Sequence, residues 1–180
     1  FFAVAPDLFW RLEPDVQLTD KSQAEWKRAF ELMQAFDQDA GIEDIKASID
    51  WMRGQVGCNG KVGAVGYCLG GRLAFMTACR TQSDASVGYY GVGLDDLLDE
   101  AANIKTPVLL HVAGKDQFVP PEAQAKIHAG LDAHPRVTIH DYPDDDHAFA
   151  RPEGAHFSAD SARSANDRTL AFFRKHLAET

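Results

Sequence analysis

The stretch Val62-Gly63-Ala64-Val65-Gly66-Tyr67-Cys68-Leu69-Gly70-Gly71-Arg72-Leu73-Ala74-Phe75-Met76 changes its period midway. Val62–Val65 is a short apolar run of strand type, and from Leu69 onward the pattern is helical. The turn between them reads Gly-x-Cys-x-Gly, with Gly66 and Gly70 two residues either side of Cys68. This is the spacing of a nucleophile elbow with cysteine in place of serine. A nucleophile on so tight a strand-to-helix turn needs neighbours without side chains. The turn also sets the thiol at a helix N-terminus, where the positive end of the dipole favours a thiolate. It aims the Leu69 N–H at an oxyanion forming beside the sulfur. The plainer reading is a buried, inert Cys68 whose glycines merely allow close packing. A phosphate cradle is a weaker match, because neither GxGxxG nor GxxxxGK[ST] is present.

An elbow requires an acid and then a base later in the chain. After the apolar run Val108–Ala113 comes Gly114-Lys115-Asp116, and after Val137–Tyr142 comes Pro143-Asp144-Asp145-Asp146-His147. Asp116 and His147 each lie just past the end of an expected strand, where sites of open α/β sheets assemble. Cys68, Asp116 and His147 thus follow three separate strands in the order nucleophile, acid, base. The other histidines carry less. His111 lies inside an apolar strand and is expected as a hydrogen-bonded core residue, and His140 alternates toward the surface. No partner is implied for His128, His134, His156 or His176. Asp144-Asp145-Asp146 reads as a solvated acidic turn, since consecutive residues rarely converge on one ion, and no metal is expected.

The surrounding chain alternates strands and helices. Phe1–Ala5 and Ser86–Tyr90 complete the set of strands, and the first four strands are apolar enough to be covered on both faces. Asp20 or Ser22 caps a helix running to about Phe36, its turns marked by Trp26, Phe30 and Met33. Ile42, Ile45, Ile49 and Met52 mark a second helix, and further helices are expected at Leu69–Cys79, Pro121–Asp132 and Asp160–Leu177. This alternation predicts a three-layer α/β fold with a mostly parallel sheet, in a single domain over residues 1–180. The chain has 180 residues, of which 45% are hydrophobic and 25% charged, an ordinary globular composition. Its 18 Lys and Arg against 27 Asp and Glu give a net charge of −9, and no basic window offers a footprint for nucleic acid. No apolar stretch approaches the roughly 20 residues of a membrane helix, and no signal-peptide pattern appears. Cys58, Cys68 and Cys79 form no CxxC, which argues against a disulfide framework or a thiolate zinc site and points to a reducing cytoplasm.

Four segments carry a family resemblance: Gly66-Tyr67-Cys68-Leu69-Gly70-Gly71, Val87-Gly88-Tyr89-Tyr90-Gly91-Val92-Gly93, Gly114-Lys115-Asp116-Gln117-Phe118-Val119-Pro120 and His147-Ala148-Phe149-Ala150-Arg151. Together with Pro6–Arg11 and Asn166–Phe173, they resemble dienelactone hydrolase (carboxymethylenebutenolidase), an α/β-hydrolase, in collinear order across the chain. The resemblance implies opening of the dienelactone ring to maleylacetate in the breakdown of aromatic compounds. Cys68 would be nucleophile, His147 base and Asp116 orienting acid, with Leu69 in the oxyanion hole. It further implies substrate binding by Arg11, Arg151 and Tyr90, no cofactor, and a monomer. Arg72 is expected to be an ordinary surface charge. The sequence departs from the family at Asp146, where a glycine is usual, and at Ala148, where a small polar residue often stands. The family's first strands, with a second oxyanion donor and a glutamate facing the thiol, are not found before Phe1, so a truncated domain is expected. Two rivals stay open: a thiol-dependent esterase or thioesterase of other substrate, and a non-catalytic binding module on the same fold.

Overall fold

Every residue of Val108–Ala113 is buried, as a strand flanked by helices on both sides must be. In the computed structural model, which describes residues 1–178, this strand lies inside a four-stranded sheet. The strands are β1 (Gly63–Tyr67), β2 (Ala85–Tyr89), β3 (Val108–Ala113) and β4 (Val137–Tyr142). All three pairings are parallel, and the spatial order follows the sequence order. The helices are α1 (Gln23–Ala35), α2 (Gln38–Arg53), α3 (Leu69–Arg80), α4 (Pro121–Leu131) and α5 (Ala159–Leu177). Alternate residues of the strands feed two cores, one on each face of the sheet. Val108 and Leu110 pack with Leu73, Phe75 and Met76 of α3 and with Ile127 and Leu131 of α4. On the other face, Val87, Tyr89 and Leu109 pack with Ala162 and Ala165 of α5. The expected three layers are therefore present.

Local chemistry explains the helix starts. Ser22, one of the two candidate caps, accepts the Glu25 N–H at 3.2 Å, and the Glu25 carboxylate accepts the Ser22 hydroxyl at 2.8 Å. This reciprocal pairing satisfies donors that the first helical turn leaves open. Asp37 caps α2 by accepting the N–H groups of Asp39 and Ala40, both at 3.0 Å.

Several expectations are corrected. Phe1–Ala5 is not a strand: it is exposed coil, with Phe1 and Phe2 each 75% accessible. No strand pairs with the outer side of β1 among the described residues. Val65 and Tyr67 are accordingly exposed, so β1 is not covered on both faces. Phe1–Ala5 instead lines an open groove beside β1, together with Val65, Gly66 and Leu73. β1 extends to Tyr67 because its ladder with β2 holds through the Tyr67–Tyr89 pair. Arg72 is no ordinary surface charge. It is half-buried, donates to Gln38 Oε1 at 2.7 Å and to the Gly93 carbonyl, and so ties the start of α3 to the turn after β2. His128, for which no partner was implied, bridges Asp132 of its own helix end and Asp141 of β4 at 2.9 and 3.0 Å.

His111 is the buried, hydrogen-bonded core residue expected of it. Its Nδ1 lies 3.0 Å from the Tyr142 hydroxyl and its Nε2 3.0 Å from Thr169 Oγ1. Burial disfavours the charged ring, with His140 and Arg168 adding to the effect, and pushes its pKa down to about 3.

Candidate active site

Cys68 stands between β1 and α3 with φ 56° and ψ −117°, a conformation that L-residues rarely adopt. Its N–H donates to the Tyr89 carbonyl at 3.1 Å, and its own carbonyl accepts from Gly71 and Arg72 as the helix begins. The turn is held from both sides. A Cβ on Gly66 would lie 1.8 Å from the Gly70 carbonyl oxygen, and one on Gly71 would lie 2.6 Å from the Tyr89 carbonyl oxygen. Gly70 differs, since a Cβ there would meet nothing within 4 Å. The steric need for glycine thus falls on Gly66 and Gly71, not symmetrically about the cysteine. Leu69 opens α3, and its N–H is among those that a first helical turn leaves without an intrahelical acceptor.

Asp116, on the loop after β3, and His147, on the loop after β4, meet at 2.7 Å between Oδ2 and Nδ1. Both are nearly sealed from water, at 3% and 5% accessible. The other Asp116 oxygen accepts the Phe118 N–H at 2.8 Å, which fixes the carboxylate's orientation. Burial, the largest effect on His147, opposes its protonation. The hydrogen bond to Asp116 and the influence of the neighbouring Cys68 outweigh it, and the pKa is pushed up to about 9. The histidine is therefore coupled to both Asp116 and Cys68.

The two departures from the family pattern have visible consequences. Asp146 accepts the His147 N–H at 2.6 Å, and Ala148 takes a left-handed backbone with φ 63°. His156, for which no partner was implied, approaches the His147 carbonyl at 3.3 Å and the Asp146 carboxylate at 3.5 Å. Side-chain contacts of the loop itself thus brace the histidine.

Tyr90 leaves β2 with φ 37° and is buried, its ring centroid 5.1 Å from that of His147 in an edge-to-face arrangement. Arg151 lies four residues past His147, half-exposed, and pairs with Asp20 at 3.7 Å. Asp20, read as a possible helix cap, instead also accepts the Ala155 N–H at 3.4 Å. Arg11 is not brought to this group: its guanidinium is engaged by both oxygens of Asp44 on α2, at 3.2 and 2.7 Å, and sits 4.4 Å from the Trp10 ring centre. Sequence reasoning missed Phe118, whose ring lies 4.8 Å from that of His147. It also read Trp26 and Phe30 as marks of a helix period, whereas both are exposed beside Phe118. A Phe two residues past a candidate acid was the available signal. No group of side chains able to hold a metal ion occurs among the described residues, and no described helix is long and apolar enough to cross a membrane.

A parallel sheet with a strained strand-to-helix turn and a Cys, Asp and His gathered at its strand ends defines the α/β-hydrolase class. Comparison narrows this: the chain belongs to the dienelactone hydrolase family, whose profile matches residues 1–177. It is 51% identical to a relative from Azospirillum brasilense over 187 residues, covering 98% of this chain and 76% of that one. It is 42% identical to the carboxymethylenebutenolidase of Pseudomonas putida over 172 residues, covering 96% and 73% respectively. A solved structure from Klebsiella pneumoniae superposes with a TM-score of 0.80 at 25% identity, over 95% of this chain and 74% of that one. A dienelactone hydrolase-like promiscuous phosphotriesterase from metagenomic libraries shares the fold, with a TM-score of 0.69 at 20% identity over 90% and 71%. The chain is accordingly a hydrolase of lactones or esters of the dienelactone hydrolase type.

Proposed function

We propose that this chain opens the ring of dienelactone to maleylacetate, with Cys68 as nucleophile, His147 as acid and base, and Asp116 as the residue that orients His147. The observation that carries this reading is the hydrogen-bonded, water-excluded Asp116–His147 pair, whose histidine is coupled to Cys68 on a strained turn. The Cys68 thiolate attacks the lactone carbonyl carbon, forming a C–S bond and a tetrahedral oxyanion that the Leu69 N–H stabilises. Collapse breaks the ring C–O bond, and the enolate oxygen leaves with the proton from His147. Water then adds to the thioester carbonyl while His147 takes its proton. The C–S bond breaks to release the carboxylate, and the enol product tautomerises to the ketone.

Asp116 holds the Nδ1 tautomer, leaving Nε2 to face the reacting atoms. Tyr90 walls the pocket beside His147. Arg151 binds the substrate carboxylate, a planar acceptor suited to a guanidinium, and gives up its long contact with Asp20 to do so. Arg11, occupied by Asp44, takes no part in that binding. We further propose a reducing, cytoplasmic setting, in which a nucleophilic thiol persists. Incubation with dienelactone tests the reading: maleylacetate should form with wild-type protein. Arg151→Ala should raise KM for the lactone about tenfold or more, yet leave uncharged esters largely unaffected. Equal losses on charged and uncharged substrates would remove carboxylate recognition from the account.

A further inference from the structure

Three aromatic rings form a continuous surface leading outward from His147. Phe118 lies edge-on against the imidazole, with centroids 4.8 Å apart. Trp26 and Phe30 of α1 lie 6.4 and 6.1 Å from Phe118 and stack on each other at 5.7 Å. They are one helical turn apart, so they share a face. Such large rings are usually buried, yet Trp26 and Phe30 remain 39% and 36% accessible. Their placement is fixed. The Trp26 indole N–H donates to the Asp20 carbonyl at 3.2 Å, and the Asp20 carboxylate reaches Arg151 and the Ala155 N–H. Phe118 is fixed by its N–H bond to Asp116. Asp116 and Asp20, which meet His147 and Arg151 through their carboxylates, therefore also hold Phe118 and Trp26.

We propose that Trp26, Phe30 and Phe118 form a subsite for a planar aryl leaving group, so that aryl esters are a preferred substrate class. The inference rests on His147 as the proton donor to the leaving oxygen, because that oxygen must lie on the imidazole side of the scissile bond. The group it carries then extends past Phe118 onto the exposed faces of Trp26 and Phe30. An aryl ring gains offset-stacked or edge-to-face contacts there that an alkyl group of equal reactivity does not. Partial exposure of the free rings fits a surface that a substrate completes.

The test compares phenyl acetate with trifluoroethyl acetate, whose leaving alcohol is activated without a ring. Trp26→Ala should lower the phenyl-to-trifluoroethyl ratio of kcat/KM about tenfold, Phe30→Ala should lower it less, and Trp26→Phe should restore most of it. A ratio unchanged within about twofold, or an equal loss on both esters, would overturn the proposal and leave the rings as packing between α1 and the Phe118 loop. A binding readout separates this from the hydrolase reading. Calorimetric titration of para-nitrophenol into Cys68→Ala protein should show Kd weakened about tenfold when Trp26→Ala is added. If wild-type protein opens dienelactone but hydrolyses neither ester, the proposal falls and the hydrolase reading stands; if it turns over neither the lactone nor the esters, both fall. If hydrolysis proceeds but neither the ratio nor Kd responds, the wall falls alone.

Discussion

The Asp116 carboxylate makes two short hydrogen bonds, one from each oxygen: 2.7 Å to His147 Nδ1 and 2.8 Å to the Phe118 N–H. One side chain therefore sets both the tautomer of the histidine and the path of the loop that bears the aromatic ring. Asp116→Asn retains the volume and an acceptor for Phe118 but stabilises the wrong His147 tautomer. It should lower kcat by roughly 10³–10⁴, and below about pH 9 it should also lower the melting temperature, because the stability lent by the raised His147 pKa depends in part on the Asp116 carboxylate. Asp116→Ala should destabilise further, because it also strips the Phe118 N–H of its partner. Steady-state kinetics and thermal melts on the two variants check this.

The proton on His147 has a definite pH signature. Its pKa in the folded protein is raised to about 9 from an ordinary value near 6.5. The stability this lends is fully present below about 6.5 and is lost as pH rises through about 9. In the proposed mechanism the same proton reaches the leaving oxygen, so kcat/KM should fall as pH rises through about 9. Asp116→Asn removes one of the effects that raise the pKa and should shift the His147 titration to lower pH, as read by imidazole proton shifts in NMR. A His147 that titrates near its ordinary value in wild-type protein would contradict the coupling.

The elbow predicts an asymmetry between its two flanking glycines. Gly66→Ala drives a Cβ into the Gly70 carbonyl, a backbone atom that cannot swing aside. It should cost about 3 kcal/mol or more and abolish activity. Gly70→Ala meets open space inside the first turn of α3 and should be neutral or stabilising by about 0.5–1 kcal/mol. Denaturant midpoints of the two variants measure the difference directly.

His111 makes the opposite pH statement to His147. Its folded pKa is lowered to about 3 and its unfolded value lies near 6.5, so the unfolded chain binds the proton first. Its contribution is complete above about 6.5 and declines as pH falls from there toward about 3. His111→Gln should flatten the acid limb of stability, with urea midpoints at pH about 7 and about 4 drawing together relative to wild type.

The parts of the fold that local pattern controls were legible in the sequence. β3 and β4 fall where their apolar and β-branched runs placed them, because each strand signal is bounded by turn residues. Cys68, Asp116 and His147 stand out as candidates in the sequence because each follows a strand, and a parallel sheet gathers strand ends. What failed depends on partners distant in sequence. Phe1–Ala5 has strand composition but no paired neighbour, and composition cannot supply one. Arg11 was assigned by resemblance alone, while Asp44, which claims it, lies 33 residues away. Trp26 and Phe30 kept the helical period that marks core residues, but the face they occupy looks toward the site. Periodicity finds a face without telling what lies opposite it.

The nucleophile itself is the central claim, and a trapped intermediate tests it most directly. Wild-type protein mixed with excess dienelactone or phenyl acetate, quenched in acid within the first turnover and digested, should yield a peptide containing Cys68 with the acyl group attached as a thioester. The adduct should be absent from the peptides carrying Cys58 and Cys79, the latter a buried thiol whose pKa is pushed up to about 12. An acyl group on any other residue, or turnover with no adduct on Cys68, would contradict the account.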